Sequence, residues 1–387
     1  MGSSAPRDAL APYDAVLVHS FGGPEAPDQV VPFLERVTGG RGIPAERLHE
    51  VAGHYLDRGG RSPINDETRS LVRALSQELT RRDLMRPVLW GSRFAEPFTA
   101  RALAKVEELG YRRVVVVPTS AYPSYSGCRA YREDLAAART VAGIDAGSGA
   151  GTGSEAELVI DRIRPYALHP GFSATNARLA TEGLRRLLAT TGLPASDVRL
   201  LFVTHSIPID LNASSGPPPG GHYLRWHERL ATAIADEATA TLGVRIAHGL
   251  AYCSRSGPPT QPWLEPDISD AIEELAEQGY RGVVVAPIGF TADHMEVVYD
   301  LDEVAAATAR RCGVAFVRTP TVRQDAEFVS GLVDLLLERA AEARGEEPRR
   351  PSWPKVGELL PAVCQPGCCP NPRGPRPAVA GRDDDTR

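Results

Sequence analysis

Leu109-Gly110-Tyr111-Arg112-Arg113-Val114-Val115-Val116-Val117-Pro118 returns 169 residues later as Gln278-Gly279-Tyr280-Arg281-Gly282-Val283-Val284-Val285-Ala286-Pro287. In each copy a helical stretch ends at Gly, Tyr-Arg turns the chain, and an apolar run reaches Pro. Four successive valines do not alternate in polarity. Such a run suits a strand covered by helices on both faces, as in a parallel sheet. The runs that open the two copies, Val16-Leu17-Val18 and Leu201-Phe202-Val203, lie 185 residues apart. The order of elements is thus kept while loop lengths differ, and duplication of one unit follows.

Outward from the echo, β-rich runs occupy Asp14–His19, Pro87–Gly91, Arg113–Pro118, Leu158–Ile163, Arg199–Thr204, Arg245–Ala251, Gly282–Pro287 and Val314–Arg318. Amphipathic segments separate them at Glu67–Arg82, Thr99–Leu109, Asn176–Ala189, Tyr223–Leu242, Ile268–Gln278, Val297–Arg311 and Ala326–Glu342. Strands alternating with helices indicate βαβ units. The expected fold is α/β: two similar Rossmann-like halves, each a doubly wound four-stranded parallel sheet, around a cleft. The expected divisions are a flexible N-terminus over 1–12, halves over 13–165 and 166–343, and a Cys-bearing tail over 344–387 with a disordered end. Asp145–Glu155 and Ser214–His222 read as surface loops.

The 387 residues are 42% hydrophobic and 24% charged, an ordinary globular balance. The net charge of −6 argues against a nucleic-acid binder. No apolar run reaches the roughly 20 residues of a membrane span, and residues 1–12 lack a signal-peptide pattern. The expected setting is the cytoplasm, and the expected state a monomer. Lys105 and Lys355 are the only lysines; the arginines are scattered, as coding bias in a GC-rich bacterium would leave them.

Ligands of doubly wound sheets bind beyond the carboxyl ends of the strands. His205 stands there, in Thr204-His205-Ser206-Ile207-Pro208, as a base, a ligand or a structural histidine. Asp293-His294-Met295-Glu296 opens the helix after another strand. Glu296, Asp300 and Glu303 fall at i, i+4 and i+7, on one helix face. That stripe reads either as a solvated face or as carboxylates carrying protons or a divalent cation from solvent to a cleft. Ser20-Phe21-Gly22-Gly23-Pro24 lacks the spacing of a phosphate loop, and no G-x-S-x-G or H-E-x-x-H occurs. Cys364-x-x-x-Cys368-Cys369 is too crowded for a zinc knuckle with paired arms. Three thiolates need a fourth ligand, and Cys128, in Ser126-Gly127-Cys128, is a candidate. Four cysteines suit a [2Fe–2S] cluster or structural zinc, against an incidental cysteine-bearing tail. Cys253 and Cys312 read as core thiols.

Several stretches together resemble the ferrochelatases, which insert Fe(II) into a porphyrin. They are Phe21-Gly22-Gly23-Pro24-Glu25, Val37-Thr38-Gly39-Gly40-Arg41-Gly42-Ile43-Pro44, Gly59-Gly60-Arg61-Ser62-Pro63-Ile64-Asn65, Thr204–Pro208, Ser254-Arg255-Ser256-Gly257-Pro258-Pro259 with Pro262-Trp263-Leu264, and Gly289-Phe290 with Asp293–Glu296. They occur in family order across roughly 13–340. The resemblance implies two Rossmann-like halves around a porphyrin cleft. It implies that His205 and Glu296 face each other across the porphyrin plane as catalytic residues and as contacts of the Fe(II) substrate. His294 and Asp300 are the implied relay for protons or metal. Phe21, Arg41, Ser62, Arg93 and Tyr122 are the implied porphyrin contacts. Phe21 stands where some bacterial members carry Tyr, Arg61 where a small apolar residue is usual, and Cys253 where Gln is usual. Ser92-Arg93-Phe94 replaces a more usual Asn-Arg-Trp. Cys128, Cys364, Cys368 and Cys369 resemble the [2Fe–2S] ligand set of actinobacterial members. Those members generally metallate coproporphyrin III, which implies a lyase that forms Fe-coproporphyrin III in haem biosynthesis. The alternatives are a protoporphyrin IX ferrochelatase, a cobalt chelatase of the B12 route and a non-catalytic haem carrier.

Overall fold

Among the described residues eight strands form, all close to their expected ranges: β1 Ala15–Ser20, β2 Val88–Ser92, β3 Arg113–Pro118, β4 Val159–Arg162, β5 Val198–His205, β6 Ala247–Cys253, β7 Gly282–Ala286 and β8 Ala315–Arg318. The computed structural model describes residues 8–39, 45–144, 158–257, 260–354 and 359–382. The strands make two four-stranded parallel sheets, in the orders β2-β1-β3-β4 and β6-β5-β7-β8. The echoed segments β3 and β7 hold the same place in each. In both sheets the direction of winding reverses beside the opening strand, between β1 and β3 and between β5 and β7, which are the switch points where ligands bind.

The valine run is explained by burial on both faces. Val115 and Val117 face one large core, packed with Leu200, Phe202 and Val284 of the second half. Val114 and Val116 face another, with Leu103 of α4 (Thr99–Glu108) and Leu135 of α5 (Ala130–Val141). In the second sheet Val283 and Val285 pack outward on α9 (Ile268–Glu277).

The central core is filled by α3 (Ile64–Arg81), α6 (Pro170–Thr191), α8 (His222–Leu242) and α12 (Ala326–Ala343). Although α12 closes the second half in sequence, it packs on α3 of the first. Its Glu338 accepts from Arg164 at 2.7 Å, and its Arg339 donates to Asp161 at 2.7 Å. Leu10, in the stretch expected to be a flexible start, is fully buried in this core.

Periodicity left out α1 (Pro27–Thr38), α2 (Ala45–Leu56), α5 and the short α7 (Ile209–Ala213). Pro27 and Pro32 disguise α1, although Val30, Phe33, Leu34 and Val37 carry the helical spacing; Pro27 occupies the first turn, where the missing N–H is not needed. The Asp145–Glu155 loop lies outside the described residues. Ser214–His222 turns at Gly216, Gly220 and Gly221, all at positive φ. A Cβ on Gly220 would stand 1.8 Å from the Ala213 carbonyl oxygen.

Candidate active site

The site is built where β5 and β7 end. The β5 end is fixed by its neighbours. The Tyr223 hydroxyl donates to the His205 carbonyl at 2.8 Å and lies 2.7 Å from Thr204 Oγ1, and the Ser206 N–H donates to the Cys253 carbonyl at 2.8 Å. His205 Nδ1 lies against the Ser206 carbonyl. With the proton on Nδ1, the Nε2 lone pair is free. Nε2 faces Glu296, with 3.5 Å to Oε2. His294 Nδ1 is 3.8 Å from the same oxygen. Two imidazoles and a carboxylate, from the end of β5 and the start of α10, therefore converge, and the Glu296 side chain is 47% exposed, open to incoming ligands. Burial pushes His294 below the usual histidine range, so its neutral form is favoured.

The loop after β7 is clamped from behind. Burial would raise the Asp293 carboxyl, but Arg318 and Arg323 hold it below its ordinary range, and Thr321 donates to it at 3.0 Å. Gly289 approaches β5 so closely that a Cβ would lie 2.1 Å from Thr204 Oγ1. Beyond Asp293 the chain runs as one helix through α10 (Met295–Val297), a π-helical stretch Val298–Ala305 and α11 (Ala306–Arg311). The wider π turn alters the expected single acidic face. Asp300 turns inward to accept from the Ser254 hydroxyl, whereas Glu303 turns out to pair with Arg58. Burial, reinforced by Glu296, raises the Asp300 carboxyl to about 6 against the Ser254 hydrogen bond. Ser254 holds a left-handed φ of 63°. The sequence marked the Ser254 stretch but not its bond to Asp300, because only the fold brings β6 beside this helix.

The opposite wall comes from the first half. The Phe21 and Phe94 ring centroids are 4.7 Å apart, and Phe33 packs edge-on to Phe21 at 6.2 Å. The Arg93 guanidinium lies over Phe94 at 4.7 Å, Tyr131 at 4.8 Å and Phe21 at 5.9 Å. Its buried Nε has no hydrogen-bond partner. Phe21, Phe33 and Phe94 belong to or border an apolar cluster of α1 and α2 that includes Met295, so the missed helices cap the site.

The remaining expected contacts are more deeply set. Tyr122 is buried just behind the end of β7: its hydroxyl donates to the Ile288 carbonyl at 3.0 Å, and its ring stacks on His227 at 3.6 Å. Ser62 is also buried, packed where a Cβ on Gly23 would meet it at 2.8 Å. Arg61 pairs with Asp66 at 2.5 Å. Arg41 lies outside the described residues.

Cys128, Cys364, Cys368 and Cys369 gather in one buried cluster, with all six cysteines free of disulfides. Cys253 is buried in the core and Cys312 borders it. Arg162 donates to Cys128 Sγ and Cys364 Sγ at 3.0 Å each, and the Gly216 N–H to Cys369 Sγ at 3.0 Å. Hydrogen bonds from Cys128 and Cys368, with Arg162 nearby, hold the Cys364 thiol well below the ordinary range; the other three thiols are raised. Among the described residues, no group of three or more His, Cys, Asp or Glu side chains is disposed to hold a metal ion. Nor is any described helix long and apolar enough to cross a membrane.

The ferrochelatase family model matches residues 13–340. A coproporphyrin III ferrochelatase of Leifsonia xyli subsp. xyli is 46% identical over 385 residues, 95% of this chain and 94% of its own length. One of Streptomyces griseus subsp. griseus is 47% identical over 383 residues, 96% of this chain and 97% of its own. Among solved structures, SirB from Bacillus subtilis with Fe3+ matches at TM-score 0.48 and 11% identity, over 86% of this chain and 97% of that one.

Proposed function

The chain belongs to the ferrochelatase family, and from that premise we propose that its cleft inserts Fe(II) into coproporphyrin III, forming Fe-coproporphyrin III in haem synthesis. The reaction is that of a lyase: one Fe(II) enters the macrocycle and two pyrrole protons leave. The observation that carries the chemistry is the approach of His205 Nε2 to Glu296 Oε2, 3.5 Å, at the β5/β7 switch point.

The halves 13–165 and 166–343 supply the two walls of the cleft. At 3.5 Å nothing fits between His205 and Glu296, so the macrocycle enters as one side chain withdraws. Glu296 is the one free to move: it lies in the first turn of a helix and faces solvent, whereas Tyr223 and Ser206 anchor His205. The free Nε2 of His205 accepts pyrrole protons. Glu296, with His294 beside it, meets the incoming Fe(II) through oxygen and nitrogen donors suited to a first-row divalent ion. Asp300, poised at about 6, exchanges protons with solvent near neutral pH. Packing against Phe21 and Phe94 favours a macrocycle bent towards the product shape, which lowers the barrier. The Arg93 fork, held in its aromatic cage, meets a propionate.

The four gathered thiols support a [2Fe–2S] cluster on Cys128, Cys364, Cys368 and Cys369. The donor chemistry suits one: four buried sulfurs, with guanidinium and backbone N–H donors aimed at them, which a cluster would draw from their present arrangement, not yet disposed around an ion. A bound cluster supplies one-electron exchange and ties the tail to the body; insertion itself proceeds through the cleft residues. Free thiols suit the reducing cytoplasm, and a monomer completes the reading.

The test is Fe(II)-dependent quenching of porphyrin fluorescence. Coproporphyrin III is expected to be metallated in preference to protoporphyrin IX, and to Co(II) insertion. His205→Ala is expected to lower kcat/KM by about 100-fold or more. Undiminished insertion by that variant would overturn the site, and preference for protoporphyrin IX the substrate.

A further inference from the structure

Arg162 is the last residue of β4, and its side chain is buried. Among the described residues no carboxylate pairs with it. Its two terminal nitrogens donate to Cys128 Sγ and Cys364 Sγ, 3.0 Å each, and its buried Nε has no partner. The adjacent Asp161 lies on the other face of the sheet and is claimed by Tyr13, Arg113 and Arg339. A buried guanidinium that cannot lose its proton needs a negative partner. Among the described residues, the groups beside it able to supply one are the sulfurs. The fork also joins ligands that are remote in sequence, Cys128 from the π-helical turn Tyr125–Arg129 just before α5 and Cys364 from the tail.

We propose that Arg162 is the counter-cation of the four-thiolate site, holding its charge and setting how readily it accepts an electron. This rests on the cluster reading above. Two Fe(III), two sulfides and four thiolates sum to −2; one electron, from dithionite as the titrant, converts one Fe(III) to Fe(II) and gives −3. A fixed positive charge with two N–H donors on the sulfurs favours the more negative state, since charge and hydrogen bonds to sulfur govern such potentials.

The experiment uses the full-length protein, purified without oxygen, as wild type, Arg162→Gln and Arg162→Lys. Iron and sulfide are assayed, and the oxidised-to-reduced ratio is read by visible absorption at fixed potentials. Wild type is expected to hold two irons and two sulfides. At a fixed potential Arg162→Gln is expected to shift the ratio at least tenfold towards the oxidised form, about 59 mV for one electron, and to lose iron to a chelator faster. Arg162→Lys keeps the charge but not the fork, so it is expected to shift the ratio in the same direction by less. Wild type without iron and sulfide overturns the cluster reading itself. A wild-type cluster whose ratio and iron retention are unchanged in Arg162→Gln overturns the role of Arg162 and leaves the cluster standing. If Arg162→Gln fails to fold, Arg162→Lys decides: wild-type values for both quantities overturn the proposal.

Discussion

Removing the Ser254 hydroxyl is expected to raise the pH at which iron insertion switches on. That hydroxyl donates to Asp300, whose carboxyl stands at about 6 because burial and Glu296 outweigh this hydrogen bond. A hydrogen bond to a charged group is worth about 1.5–3 kcal/mol, and one pKa unit corresponds to about 1.36 kcal/mol. Asp300 is only partly buried, so the low end applies, and the carboxyl moves up by about one unit, to about 7. The ionised form is the one that takes protons, so the acid limb of kcat/KM shifts to higher pH. Near pH 6 the loss is about fivefold, and well above pH 8 it vanishes. Backbone strain is separated by using two variants. Ser254→Gly suits the φ of 63° and Ser254→Ala does not, yet both lack the hydroxyl and should shift the limb equally. The assay is porphyrin fluorescence quenching across roughly pH 5–9. An acid limb that stays in place in both variants refutes the coupling of Ser254 to Asp300.

The same carboxyl makes a stability prediction. Its folded value, about 6, lies above the ordinary 3.8, so ionised Asp300 is a cost present above pH 6 and absent below about pH 4. Asp300→Asn is therefore expected to gain on the order of 2–3 kcal/mol at pH 7, with the gain fading towards pH 4 in thermal melts, while insertion falls. Tyr122→Phe, which frees the buried Ile288 carbonyl, is expected to cost about 1–2 kcal/mol in denaturant titration and to leave KM for coproporphyrin III unchanged. Glu338→Ala strands the buried Arg164 and is expected to cost about 3–5 kcal/mol in the same titration, most of it recovered in an Arg164→Met/Glu338→Met double variant.

Much of the site was legible because strand ends are marked in the chain. The chain alone places His205 and the Asp293–Glu296 segment at the carboxyl ends of β5 and β7, and the structure sets His205 and Glu296 3.5 Å apart. The acidic stripe was only half legible. An α-helical spacing puts Asp300 and Glu303 on one face, but the π-helical stretch separates them into a half-buried proton-exchanging acid and a surface ion pair. Tyr122 follows a strand as a ligand contact would, yet core packing against His227 claims it.

The sequence by itself determined the two echoed sheets, since residues of a strand covered on both faces must all be apolar, and that pattern survives in a one-dimensional reading. It also determined which groups carry chemistry, because imidazoles, carboxylates and thiols are few. Only the tertiary structure decided their state. Hydrogen-bond partners such as Ser254 for Asp300, Tyr223 for His205 and Arg162 for the thiols come from distant strands and helices. Burial and neighbouring charge, which set ionisation and reactivity, arise only when those elements pack.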